Sequence, residues 1–107
     1  MIGVRNTRLD DATRALVEAT REAIRNAVRH GSHTTKVFTE VGDEGEVAVF
    51  VRDNGPGFDL EHVVAERRGI RDAIIGRMES VGGSAEIESS AEGTEVTLRL
   101  PPPEPAT

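Results

Sequence analysis

Lys36-Val37-Phe38-Thr39-Glu40-Val41, then Gly42-Asp43-Glu44-Gly45, then Glu46-Val47-Ala48-Val49-Phe50-Val51-Arg52 form two segments of strand-like character split by turn residues. The side chains of a strand alternate between its two faces, so this pattern reads as an antiparallel hairpin. The second segment is apolar at nearly every position, which predicts a central strand covered on both faces. A sheet built around that strand needs a layer against it, and the flanking segments supply one.

Upstream, from Leu9 to His30, the apolar residues Leu16, Ala19, Thr20, Ala23, Ala27 and Val28 recur at helical spacing. The spacing predicts a long amphipathic helix, with Asp10 or Asp11 as its cap and Gly31 as its end. Glu18, Arg21, Glu22, Arg25 and Arg29 occupy its polar side and make neighbours of opposite sign. Ile2 to Arg5 offers a short edge strand. Downstream, Asp53-Asn54-Gly55-Pro56-Gly57 breaks the chain, and Phe58 to Arg68 has no clear periodicity, which suggests an irregular loop with a short helix. A second helix then opens at Gly69, carries Ile70, Ile74, Met78 and Val81 on one face, and stops at Gly82-Gly83. Strands at Ser84 to Ser89 and Thr94 to Leu100, joined by Ala91-Glu92-Gly93, complete the order. The economical packing is a two-layer α+β sandwich, a mixed and mostly antiparallel sheet with helices on one face. Residues 1–100 form the domain, and the proline-rich 101–107 is a frayed tail or linker.

Composition narrows the functions. At 107 residues the chain is one domain, and 36% hydrophobic against 30% charged residues describes a globular protein. A net charge of -6, with Phe38, Phe50 and Phe58 the only aromatics, argues against a nucleic-acid-binding module. The longest apolar run, Val47 to Val51, is too short to span a membrane, and the N-terminus lacks the apolar stretch of a secretory signal. The absence of cysteine fits a reducing compartment. The domain is therefore expected in the cytoplasm and without membrane contact of its own, whatever anchors the parent protein.

No phosphate loop, dinucleotide fingerprint, zinc-protease helix or EF-hand loop is present, and His30, His33 and His62 show no ligand spacing. Polar residues and glycines remain. Glu22 and Asn26 are one helical step apart, and their oxygens suit a hard cation such as magnesium, although solvated Glu and Asn are common on any helix. Asp53 ends the apolar strand, where its carboxylate can accept from an exocyclic amine, and Gly55 and Gly57 let a planar base approach the backbone. The rival reading is an Asn-Gly hairpin with Phe58, Leu60, His62 and Val64 as a returning strand. Gly69, following Arg67 and Arg68, opens a helix whose free N–H groups suit phosphate, or is a plain hinge. Gly93-Thr94 reads equally as a turn.

In this order, the segments resemble the ATP-binding domain of the GHKL superfamily, the Bergerat fold of histidine kinases and gyrases, from about Leu16 to Pro101. Glu22-Ala23-Ile24-Arg25-Asn26-Ala27-Val28-Arg29-His30 is similar to its N box. Asp53-Asn54-Gly55-Pro56-Gly57-Phe58 matches the D-x-G-x-G box, and Arg68-Gly69-Ile70 stands where a second glycine box is expected. The closing run, Gly76 to Ile87 and Glu92 to Pro101, looks especially like a two-component sensor kinase.

The resemblance implies roles. Asp53 receives the adenine amino group, Gly55 and Gly57 shape the base pocket and Thr94 assists. Asn26 binds Mg2+, and Glu22 is the catalytic residue, orienting water around the metal or taking a proton. Arg29 and His30 lie near the phosphates, the main chain at Gly69 and Ile70 meets them with Arg67 and Arg68 alongside, and Phe58 to Arg68 forms a lid. Arg67 replaces a glycine usual in such kinases. No histidine here is followed by an acidic residue as in a phosphoacceptor helix, so the acceptor is expected on a dimerisation domain outside this chain, with a response regulator downstream. The expected function is transfer of the γ-phosphoryl group of Mg-ATP to that histidine, with little turnover by this chain alone. The alternatives are a serine kinase of the anti-sigma type and a non-catalytic nucleotide- or partner-binding module.

Overall fold

The computed structural model describes residues 2–29, 34–55, 60–90 and 93–102, with the backbone alone for 2–10, 60–68 and 70. Helix α1 (Ile2–Arg29) is followed by β1 (Thr35–Val41), β2 (Val47–Asp53), α2 (Leu60–Glu79), β3 (Ser84–Ser90) and β4 (Gly93–Leu100). The sheet order is β1-β2-β4-β3, and every neighbouring pair is antiparallel. The expected α+β sandwich is present, with the four described strands wholly antiparallel rather than mixed.

The hairpin forms where the two-residue period placed it, with Val41 opposite Val47. Its turn is closed by Gly42 N–H to Glu46 O at 2.8 Å and Gly45 N–H to Gly42 O at 3.1 Å. Strand β2 is an inner strand, as expected. Its Val49 and Val51 are buried with Val96, Leu98 and Leu100 of β4, beneath Ala19 and Ala23 of α1 and Ile74 and Met78 of α2. These residues form the core among the described residues. Among the described residues the other sheet face carries no second layer: Phe50 is half-buried with the Arg99 guanidinium 5.8 Å from its ring centroid, and Arg52 Nε donates to Glu95 Oε2 at 2.8 Å. The cover expected on both sides of β2 is thus helical on one side and made of neighbouring side chains on the other.

Helix α1 buries Ala15, Ala19, Ala23 and Ala27, one residue per turn. These small side chains allow close approach to the sheet, and Leu16 and Ile24 pack beside them. Val28, expected on the buried face, is 64% exposed, because it falls on the flank beyond the alanine row. Three further expectations are corrected. Ile2 to Arg5 continues α1 instead of forming an edge strand, so Asp10 and Asp11 lie inside the helix and do not cap it. The second helix begins at Leu60 rather than Gly69, which makes Leu60 to Arg68 helical and excludes the returning strand. Gly31, Phe58 and the expected turn at Ala91-Glu92 lie outside the described residues.

The C-terminus of α2 ends as the glycine pair predicted. Gly82 has φ +80° and donates to Glu79 O at 3.1 Å, while Gly83 N–H reaches Met78 O at 2.8 Å. These paired bonds satisfy carbonyls that the last helical turn would otherwise leave open.

Candidate nucleotide site

The end of the sheet opposite the β1–β2 turn brings together residues far apart in the chain. Asp53 closes β2 there, opposite Thr35 of β1, and Gly93 and Thr94 begin β4 beside it. Asp53 Oδ1 accepts from Gly55 N–H at 2.9 Å and from Thr94 N–H at 3.2 Å. Two main-chain donors on one oxygen fix the carboxylate plane, and no described donor reaches the other oxygen. A half-buried carboxylate held in this way can accept from an amino group of a ligand.

Gly93 makes the approach of β4 to Asp53 possible. Its φ is +144°, and a Cβ there would collide with Asp53 O and stand 3.0 Å from Asp53 C and 3.2 Å from Asn54 Cα. In the sequence Gly93 reads as part of a turn, and the Gly-Thr pair is the signal of its positional role. Thr94 is buried, with Oγ1 3.1 Å from Ser89 Oγ. Asn54 reads in the sequence only as part of the chain break after β2. Its Oδ1 accepts from Thr34 N–H at 3.0 Å and its N–H donates to Thr34 O at 3.3 Å, which pins the start of β1 to the break after β2.

That clasp also constrains α1. Arg29 ends the helix five residues before Thr34, so chain length alone keeps Arg29 within ~18 Å of Thr34 in the Asn54 clasp. Asn26 lies in the last turn of α1, and its Oδ1 is buried with no hydrogen-bond partner among the described residues. An orphaned buried acceptor of this kind costs roughly 1–3 kcal/mol unless something fills it. The donor set fits a hard cation that keeps water and phosphate as its other ligands. No group of three or more His, Asp or Glu side chains able to form a protein-only cage occurs among the described residues. Glu22, one turn earlier, pairs with Arg25 at 3.2 Å on the helix surface. An exposed pair of this kind is worth at most ~1 kcal/mol, so Glu22 can leave it at little cost.

Arg29 is exposed at the C-terminus of α1. Gly69 is exposed within α2, so its amide belongs to a continuous helix and is not the free N-terminal donor expected for phosphate. Gly57 and His30 lie outside the described residues, as do the side chains of Arg67, Arg68 and Ile70. A groove of about 810 Å³ lies elsewhere, at the turn end of the sheet beside Val41, Val47, Gly83 and Leu100. It is remote from Asp53 and contains none of the expected site residues.

Taken together, a long helix and a second helix lie on one face of a four-stranded antiparallel sheet, and a fixed carboxylate stands at the end of β2. The chain belongs to the family described as "Histidine kinase-, DNA gyrase B-, and HSP90-like ATPase", whose model matches residues 11–104. Among solved structures, it is similar to the histidine kinase domain of the Erythrobacter litoralis EL346 blue-light activated histidine kinase, with TM-score 0.68, 18% identity and coverage of 86% of this chain and 45% of that one. It is also similar to the Acinetobacter baumannii histidine kinase AdeS, with TM-score 0.50, 20% identity and coverage of 92% and 47%. The chain thus spans under half the length of each of these structures. No curated protein matches it. None of the helices searched among the described residues is long and apolar enough to cross a membrane.

Proposed function

We propose that this chain is the catalytic, Mg-ATP-binding domain of a cytoplasmic-facing histidine kinase, donating the γ-phosphoryl group to a histidine on a dimerisation domain and thereby feeding a response regulator. The observation that carries the reading is the fixed Asp53 carboxylate: one oxygen is held by Gly55 and Thr94, and no donor among the described residues reaches the other. In this reading Asp53 accepts the adenine amino group, Gly55 and Gly57 border the base, and Thr94 holds the carboxylate from the β4 side.

Asn26 Oδ1 would ligate magnesium, with Glu22 orienting a water of its shell or taking the proton from the attacking group. The ion's chemistry is charge neutralisation on the phosphates, which together with positioning accounts for most of phosphoryl-transfer catalysis. Arg29 and His30 would stand at the phosphate end, with Arg67, Arg68, Gly69 and Ile70 supplied from α2. For its amide to meet a phosphate, Gly69 must leave the helical conformation, so nucleotide binding would be coupled to unwinding within α2.

The test has two arms. Melting is followed with ADP or ATP, with and without magnesium, because a ligand that binds only the folded state raises apparent stability. Labelled ATP is then incubated with this chain and a histidine-bearing dimerisation domain. Label on histidine supports the proposal, label on a partner serine supports the anti-sigma type of kinase, and binding without any label supports a non-catalytic module. No nucleotide-dependent stabilisation would refute the site assignment itself.

A further inference from the structure

Among the described residues strand β1 is an edge of the sheet, and it is an unusually apolar one. Val37, Phe38 and Val41 are 46%, 55% and 69% exposed, three of the large hydrophobic side chains left open among the described residues. A free strand edge with apolar side chains on both faces is a template for pairing with another strand.

Its hydrogen-bonding parity is fixed by its two ends. Gly42 bonds to Glu46 and Asn54 to Thr34, and the antiparallel ladder alternates between them. Lys36, Phe38 and Glu40 therefore direct their main-chain groups inward to β2. Thr35, Val37, Thr39 and Val41 turn their N–H and C=O groups to the free edge. Lys36, Phe38 and Glu40 also place their side chains on the sheet face that no helix covers, beside Arg52, Phe50 and Ala48.

We infer that β1 pairs with β1 of a second copy of this chain, antiparallel and centred on Phe38, to form a continuous eight-stranded sheet. This register sets Thr35 opposite Val41 and Val37 opposite Thr39 as the hydrogen-bonded pairs, so every outward-turned main-chain group of β1 gains a partner. The non-bonded pairs, in which side chains stand closest, are then Phe38 with Phe38 and Lys36 with Glu40, the latter occurring twice by symmetry. Shifting the register by one residue on either strand would offer the outward-turned groups the wrong parity. A shift by two would set Phe38 against Lys36 or Glu40. A lone lysine on an edge strand deters pairing. Here Glu40 stands where the two-fold axis brings it to Lys36, which converts the deterrent into a complementary contact. The interface is isologous and small, so the dimer dissociates on dilution. It is independent of the nucleotide reading.

Sedimentation of the full chain over about three decades of concentration tests the pairing. The wild type is expected to shift from monomer to dimer, with amide exchange at Thr35, Val37, Thr39 and Val41 slowing as the dimer forms. Lys36→Glu and Glu40→Lys, each alone, face like charges twice and should weaken self-association roughly tenfold or more. An equimolar mixture of these two variants, or the double variant Lys36→Glu/Glu40→Lys, restores opposite charges at both positions and should recover dimerisation. All three changes are at exposed side chains, and unchanged circular dichroism confirms folding. A wild type that stays monomeric throughout, single variants that dimerise as well as wild type, or a mixture that fails to recover would each overturn the inference.

Discussion

Replacing Gly93 with alanine should destabilise the domain and loosen its candidate site together. The residue combines φ +144° with main chain of Asp53 and Asn54 packed where a Cβ would stand. A side chain held in that backbone region costs about 1–3 kcal/mol. Relieving the collision by moving the start of β4 away from β2 also sacrifices the Thr94 N–H bond to Asp53, about 1.5–3 kcal/mol for a bond to a charged acceptor. The combined loss of about 2.5–6 kcal/mol is a large share of the ~5–15 kcal/mol that holds a typical domain together. At roughly 4 °C per kcal/mol for a chain of this size, the expected fall in Tm is about 10–24 °C by scanning calorimetry. Affinity for ADP, measured by titration calorimetry below the lowered Tm, should fall as well, because Asp53 would lose one of the two donors that orient it. A Tm within about 4 °C of wild type would refute the close approach of β4 to Asp53 and the reasoning built on it.

Gly69→Ala should have the opposite sign: the position is exposed and helical, with nothing within 4 Å of an added Cβ, so a gain of ~0.5–1 kcal/mol and a Tm rise of roughly 2–4 °C are expected. Asp53→Asn keeps an oxygen for Gly55 and Thr94 but replaces the second acceptor with a donor. Thermal stability should change little, while ADP affinity drops about 10- to 100-fold, and unchanged affinity would remove the adenine contact. Asn26→Ala removes a buried acceptor without a described partner, so the ligand-free fold should lose little stability; magnesium-dependent ATP binding should weaken more than metal-free ADP binding, and equal effects would exclude the metal role.

Much of this fold could be read from periodicity where an element has one wet and one dry face. The alanine row of α1 follows directly from that asymmetry, whereas β1 is exposed beyond its first residue and was legible only through its alternation and the turn residues Gly42 to Gly45. The first half of α2 does not: Leu60, His62 and Val64 alternate by chance, and helix-forming Glu61, Ala65, Glu66, Arg67 and Arg68 speak through propensity rather than pattern. Gly69 reads as a boundary for the same reason, since a glycine inside a helix carries a penalty that tertiary packing here overrides. At the site, Asp53 and Asn26 were legible as residue types at the ends of elements. Which Asp53 oxygen is held, and by Thr94 from 41 residues away, depends on strand order that no local pattern encodes.

The two hairpins are each local in sequence, β1 with β2 and β3 with β4, but the β2–β4 ladder sews together halves of the chain separated by the whole of α2. Such a seam closes late and only once, because distant segments must meet before any of its bonds can form. Asp53 and Thr94 sit on opposite lips of that seam. Neither half of the polypeptide can therefore assemble the carboxylate clasp alone, and two fragments divided within α2 would regain it only by docking with one another. A molecule gripping Asp53 reports on completed architecture, and its affinity is available to keep the halves joined.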